Sequence, residues 1–172
     1  YAQRTGREIP LRYLNGCDVI LAGVVPGVVD TLFWKLSSTS FGKYRTLVFR
    51  EDLPCPLKVR PQPEARVGDD RLAAAAGALA LDPRSSWVVV DAGTALTVNA
   101  VRAKPSGRSM GVFEGGLIVP GEGLALQALR DGTAQLPRLK PWPDGKPLPA
   151  AGRSTSEAIC AGVRGAQCAA AN

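Results

Sequence analysis

The stretch "SWVVVDAGTALTVNAV", residues 86–101, limits the fold more than any other part of the chain. Trp87 to Val90 reads as a strand that needs burial, and Ala95 to Val101 as a second apolar-rich strand. Between them, Asp91-Ala92-Gly93-Thr94 has to reverse the chain. A hairpin needs a turn there, but not a carboxylate, a glycine and the hydroxyls of Thr94 and Thr97 at one spot. A tight turn of this kind presents backbone N–H groups to a phosphate. Asp91 would repel that phosphate unless a cation lies between them, which implies a bound metal ion. The same residues also suit a hairpin in which Asp and Thr satisfy only the turn backbone. Local physics leaves both readings open.

The rest of the chain places this turn in an α/β setting. "CDVILAGVVP" is a short apolar run stopped by proline, the pattern of a strand buried on both faces. "GVVDTLFWKLSS" follows with Val29, Leu32, Phe33 and Leu36 at helical spacing, and "YRTLVFRE" reads as the next strand. Strand, helix and strand in this order predict a right-handed parallel crossover. Residues 52–68 hold four prolines and little periodicity, and read as loop or linker. "DDRLAAAAGALAL" is expected to be helical, with an aspartate available as its cap. After the hairpin stretch, "RAKPSGRSM" leads to a third strand, "GVFEGGLIVPG", and the meander is complete. "EGLALQALRDG" reads as an amphipathic helix, a proline-rich loop follows, and "STSEAICAGVRGAQCAAA" opens in a capping arrangement for a last helix. The order predicts two lobes that meet near residues 68–93.

Composition narrows the chemistry. The 172 residues contain no histidine, which removes Ser-His and Cys-His nucleophile pairs and argues against zinc. Acid–base work therefore falls to Asp, Glu, Lys or Tyr. The four cysteines form no C-x-x-C pair and read as free thiols in a reducing cytoplasm. Net charge is +6, but Arg and Lys are scattered without runs or interleaved aromatics. That argues for a solvated basic surface or an anionic small substrate rather than nucleic acid. No apolar run is long enough for a membrane span.

Two further stretches hold candidate chemistry. In "VGDDRLAAAA" two carboxylates and an arginine open a helix, where N–H groups favour an anionic partner. Arg71 suits two-pronged binding of a carboxylate, and one of the aspartates suits accepting a hydroxyl proton. A plain Asp N-cap beside an exposed arginine is the competing reading. "EGGLIVPG" permits close backbone approach before a helix, and by itself is a strand-to-helix corner.

Taken in order, "VGDDR", "VVVDAGTALTV", "GGLIVPG", "ALRDGTAQLP" and "STSEAICAG" resemble the type III pantothenate kinases. The resemblance covers residues 17–165 and implies the ribonuclease H-like, two-lobed fold of the actin, Hsp70 and sugar kinase superfamily. Residues 1–85 would be the remainder of the first lobe and 86–172 a truncated second lobe. It implies a cytoplasmic, homodimeric enzyme that phosphorylates pantothenate with ATP, Mg2+ and a monovalent cation, K+ or NH4+. By the same likeness Asp70 is the proton acceptor, and Gly68, Asp69 and Arg71 lie with it in the substrate segment. Asp91 holds the cation, Gly93 and Thr94 approach ATP, and Thr155 contacts pantothenate close to the dimer interface. The family also carries the label of Bvg accessory factor, so a non-catalytic regulator is the alternative, with a kinase of another small hydroxy acid behind it. A regulator needs neither a proton acceptor nor a cation-bearing turn. The family's strand-borne Asp-x-Gly-Asn-Thr loop and its Thr-Gly-Gly segment have no counterpart here. The chain is therefore expected to be cut at both ends, and inactive or weak by itself.

Overall fold

The computed structural model of the chain describes residues 18–38, 45–60, 63, 67–104, 109–143 and 145–171. Among them the elements run β1 (Val19–Leu21), α1 (Pro26–Ser38), β2 (Thr46–Val48), β3 (Leu57–Val59), α2 (Asp69–Leu81), β4 (Trp87–Ala92), β5 (Ala95–Ala103), β6 (Gly111–Pro120), α3 (Glu122–Asp131) and α4 (Thr155–Ala171). The chain is α/β. β1 and β2 pair in parallel with α1 between them, the expected strand–helix–strand unit. The other strands form a second sheet in the order β3-β6-β5-β4.

β4, β5 and β6 are the expected meander, antiparallel throughout. Strand alternation puts Trp87, Val89 and Asp91 on one face, across from Val101, Asn99 and Thr97. α2 packs on that face. Its Leu72, Ala75 and Leu79 recur every three or four residues, forming one stripe that is wholly buried against Val101 and Phe113. Burying each leucine contributes about 1.5–3 kcal/mol. Near the middle of the β5–β6 ladder, Ala100 faces Gly115 while Val101 faces Phe113, so Glu114 is the extra residue of a bulge. Gly115 adopts a φ of 118°, which strains any residue with a Cβ. The displaced Glu114 carboxylate pairs with Arg102 at 2.7 Å and Arg60 at 3.0 Å.

Three local expectations need correction. The proline-rich stretch 52–68 is not all loop, because Leu57–Val59 forms β3 and adds to the sheet edge in parallel with β6. Pro54 and Pro56 lie outside the strand, so they remove none of its ladder donors, and Leu57 and Val59 are buried while Lys58 is exposed. Second, β1 is not buried on both faces: Ile20 is 56% exposed, since β1 has only β2 beside it in its sheet. Third, the N-cap of α2 is Gly68, with no side-chain cap bond, and both aspartates lie inside the first turn. There they favour the positive end of the helix dipole instead of capping it.

α3 and α4 are joined through Glu122, which pairs with Arg164 at 3.1 Å and accepts the Trp142 amide at 2.8 Å. Ser154 accepts the Glu157 N–H at 3.2 Å, and the Glu157 carboxylate accepts the Arg153 amide at 2.9 Å, so α4 opens with the expected reciprocal capping. Cys160 and Cys168 are free thiols, the Cys55 thiol donates to the Leu57 carbonyl at 3.8 Å, and Cys17 lies outside the described residues. No helix among the described residues is long and apolar enough to cross a membrane.

Leu79 and Leu81 stand on opposite sides of α2's end, 0% and 81% exposed. Leu79→Ala is expected to lower unfolding stability by about 2–5 kcal/mol in urea titration, and Leu81→Ala by less than about 0.5 kcal/mol. Equal costs would contradict the packing of α2 on the sheet.

Candidate functional site

The site is built where the first turn of α2 meets β5. Gly68 precedes the helix, and a Cβ there would lie 2.6 Å from the Asp70 carboxylate and 3.0 Å from Val24. Asp69 Oδ1 pairs with Arg50 Nη1 at 2.9 Å, and the same Nη1 also donates to the Val67 carbonyl at 3.3 Å. Arg50 has a φ of 69°, the only left-handed non-glycine backbone among the described residues. Such a conformation costs on the order of 1–3 kcal/mol unless its surroundings hold it. Here the Arg50 amide is also bonded to the Leu53 carbonyl at 2.8 Å.

The two adjacent aspartates are thus turned to different partners. Asp69 is half-buried on Arg50, while Asp70 is exposed and accepts the neighbouring Arg71 N–H at 2.8 Å. Among the described residues Asp70 has no cationic partner. Arg71 reaches back over the sheet, where its Nε donates to Asn99 Oδ1 at 2.8 Å and its guanidinium carbon lies 5.4 Å from the Phe113 ring centre. Asn99 Nδ2 donates to Thr97 Oγ1 at 3.0 Å, and Thr97 faces Asp91 across the β4–β5 ladder. An unbroken polar line, Arg71–Asn99–Thr97, therefore leads from "GDDR" to the residue opposite Asp91.

The turn itself is held from behind. The Gly121 amide donates to Thr94 O at 2.8 Å, and a Cβ on Gly121 would come within 2.1 Å of Gly93 O. Pro120-Gly121 is thus the support on which the turn rests. The Gly93 N–H donates to Ala95 O at 3.0 Å, so it is engaged inside the turn instead of being offered to a ligand. The outer side of Gly93 is open, with the nearest atom 3.7 Å from an added Cβ, which allows close approach of a ligand. Asp91, Gly93 and Thr94 are all exposed.

A cation at Asp91 would meet oxygen donors, the carboxylate and the hydroxyl of Thr97 opposite it in the ladder. That set is hard and suits an alkali or alkaline-earth ion. Among the described residues no three His, Cys, Asp or Glu side chains converge as a tighter metal centre would need. Thr155 lies on a different element from this group. It begins α4, whose Gln167 is the residue that reaches Pro120 O, at 3.0 Å. Helix rise puts Thr155 about 18 Å along the axis from that contact.

Arg50, Asn99 and Phe113 are the site residues that sequence reasoning missed. Asn99 left a trace, a polar residue at an inward position of an apolar strand two places after Thr97. Arg50 left none, because its partner Asp69 is distant in sequence.

Comparison with known proteins places the chain among relatives of one family. The family model for type III pantothenate kinase matches residues 3–172. A type III pantothenate kinase of Porphyromonas gingivalis is 38% identical over 118 residues, covering 69% of this chain and 46% of the relative. That of Aromatoleum aromaticum is 42% identical over 113 residues, 66% of this chain and 42% of the relative. That of Oleidesulfovibrio alaskensis is 37% identical over 169 residues, 91% of this chain and 60% of the relative. The chain thus spans about half the length of the curated relatives it matches.

Gly121→Ala pushes a methyl group into the Gly93 and Thr94 carbonyls and is expected to cost about 1–3 kcal/mol. Thermal unfolding of the variant should show a clear drop in midpoint, and an unchanged midpoint would mean that Gly121 does not support the turn.

Proposed function

This chain belongs to the type III pantothenate kinase family, and on that premise we propose that it carries the substrate segment and one phosphate turn of an enzyme phosphorylating pantothenate. The reaction is transfer of the γ-phosphoryl group of ATP to the pantothenate hydroxyl, giving 4′-phosphopantothenate, the first step of coenzyme A synthesis. The two-lobed actin and Hsp70 type of fold, divided at residues 85 and 86, belongs to the same proposal.

The observation that carries the reading is the separation of the two aspartates. Arg50 occupies Asp69, which leaves Asp70 as an exposed carboxylate at the start of a helix, without a cationic partner among the described residues. Asp70 takes the proton of the pantothenate hydroxyl. The freed oxygen forms its bond to the γ-phosphorus as the bond to the β–γ bridging oxygen breaks, and ADP leaves. Arg71 binds the carboxylate of pantothenate through its outer N–H groups. Gly68 lets the substrate approach the backbone, and Asp69 acts indirectly by anchoring the loop through Arg50.

Phosphoryl transfer depends on positioning and charge neutralisation more than on covalent chemistry. Asp91 would hold the monovalent cation, K+ or NH4+, with the open side of Gly93 and the Thr94 hydroxyl turned to ATP and its Mg2+. When bound, the cation supplies positive charge between the Asp91 carboxylate and the phosphates. Thr155, at the start of α4, would contact pantothenate in a homodimer, close to the subunit interface. A cytoplasmic location accords with a metabolic substrate.

In the protein as its gene encodes it, Asp70→Asn is expected to lower ATP-dependent phosphorylation of pantothenate by roughly 10²–10⁴-fold. Pantothenate binding, followed by calorimetry, should survive. Unchanged turnover would remove Asp70 from the role of proton acceptor.

A further inference from the structure

Among the described residues Asn99 is the one buried polar side chain, 1% exposed and in the middle of β5. A buried amide left without partners costs about 1–3 kcal/mol. Both ends of this one are used. Its Oδ1 accepts from Arg71 Nε at 2.8 Å, and its Nδ2 donates to Thr97 Oγ1 at 3.0 Å. Arg71 Nε can only donate, so it fixes which end of the amide faces the helix.

The consequence falls on Arg71. Its inner edge is held by Asn99, and its guanidinium carbon lies 5.4 Å from the centre of the fully buried Phe113 ring. Its Nη1 and Nη2 have no protein partner, and Arg71 joins no ion pair, among the described residues. A free arginine side chain has about 2 kcal/mol of rotamer entropy to lose on binding an anion. Here the inner clamp has removed much of that freedom beforehand. The two outer groups carry no partner among the described residues, and the guanidinium fork suits two-pronged carboxylate recognition. The clamp is neutral, so it orients the guanidinium without cancelling its charge, as an aspartate or glutamate in the same place would.

We propose that Asn99 is a positioning residue for the substrate's acid group: it presets Arg71 for the carboxylate, and Thr97 in turn sets the amide. This rests on the reading of pantothenate as substrate, and predicts that Asn99 controls preference for the acid over its neutral counterpart. A residue serving only the core would change affinity for both alike, or for neither.

Calorimetric titration of the protein as encoded, with pantothenate and with pantothenyl alcohol, separates these cases. The wild-type protein should prefer the acid. Asn99→Leu should weaken pantothenate binding by roughly 10-fold or more, with the alcohol nearly unaffected. Should Asn99→Leu fail to fold, Thr97→Val carries the test: the amide loses its anchor, and acid preference should fall several-fold. Acid preference retained in the folded variant, or equal loss for both compounds, overturns the role of Asn99 while leaving the kinase reading intact. A wild-type protein that binds neither compound overturns the pantothenate reading and this inference with it.

Discussion

The polar line from Arg71 through Asn99 to Thr97 is the interaction on which the site depends. A sheet face covered by an alanine- and leucine-lined helix can be held by apolar contact alone, and Leu72, Ala75 and Leu79 supply that contact here. Apolar contact is tolerant of small slides and rotations. A buried amide is not, because each of its ends must meet a partner within hydrogen-bond distance. Asn99 therefore converts a general packing of α2 on β5 into one specific register. That register brings "GDDR" to the end of the sheet where "DAGT" turns.

Two other constraints hold the same region from outside. Arg50 takes Asp69 and the Val67 carbonyl, which pins the approach to α2 and leaves Asp70 exposed. Gly121 supports the Asp91–Thr94 turn from beneath through its bond to Thr94 O. Each is a local contact of modest energy, and together they arrange an acid, an arginine and a carboxylate-bearing turn around one end of β4 and β5. For phosphoryl transfer such placement supplies most of what a protein contributes. The family match runs along residues 3–172.

The meander was legible in the sequence because β4, β5 and β6 each carry an unbroken strand pattern, and the turn between the first two is written in Asp-Ala-Gly-Thr. α2 was legible from its alanine-rich run, α3 from its amphipathic spacing and α4 from its capping residues. β3 was not, since Leu57-Lys58-Val59 alternates correctly but is too short to stand out among prolines. Its partner β6 is remote in sequence, so only tertiary structure reveals it. Exposure of Ile20 was also hidden, because an apolar run says what should be buried and not which neighbours are there to bury it. Within the site, the aspartates and Arg71 were readable as candidates, yet their division of labour was not. That division comes from Arg50 and Asn99, one on a left-handed turn and the other on the middle strand, and neither contact follows from local sequence.

The central claim is that α2 and the meander are tied by the Arg71–Asn99 hydrogen bond. It is tested most directly by a double-mutant cycle on folding stability, with Arg71→Ala, Asn99→Ala and the pair measured by urea unfolding. A hydrogen bond to a charged group at a buried amide predicts a coupling energy of about 1.5–3 kcal/mol. Additive single effects, within about 0.5 kcal/mol, would contradict the account.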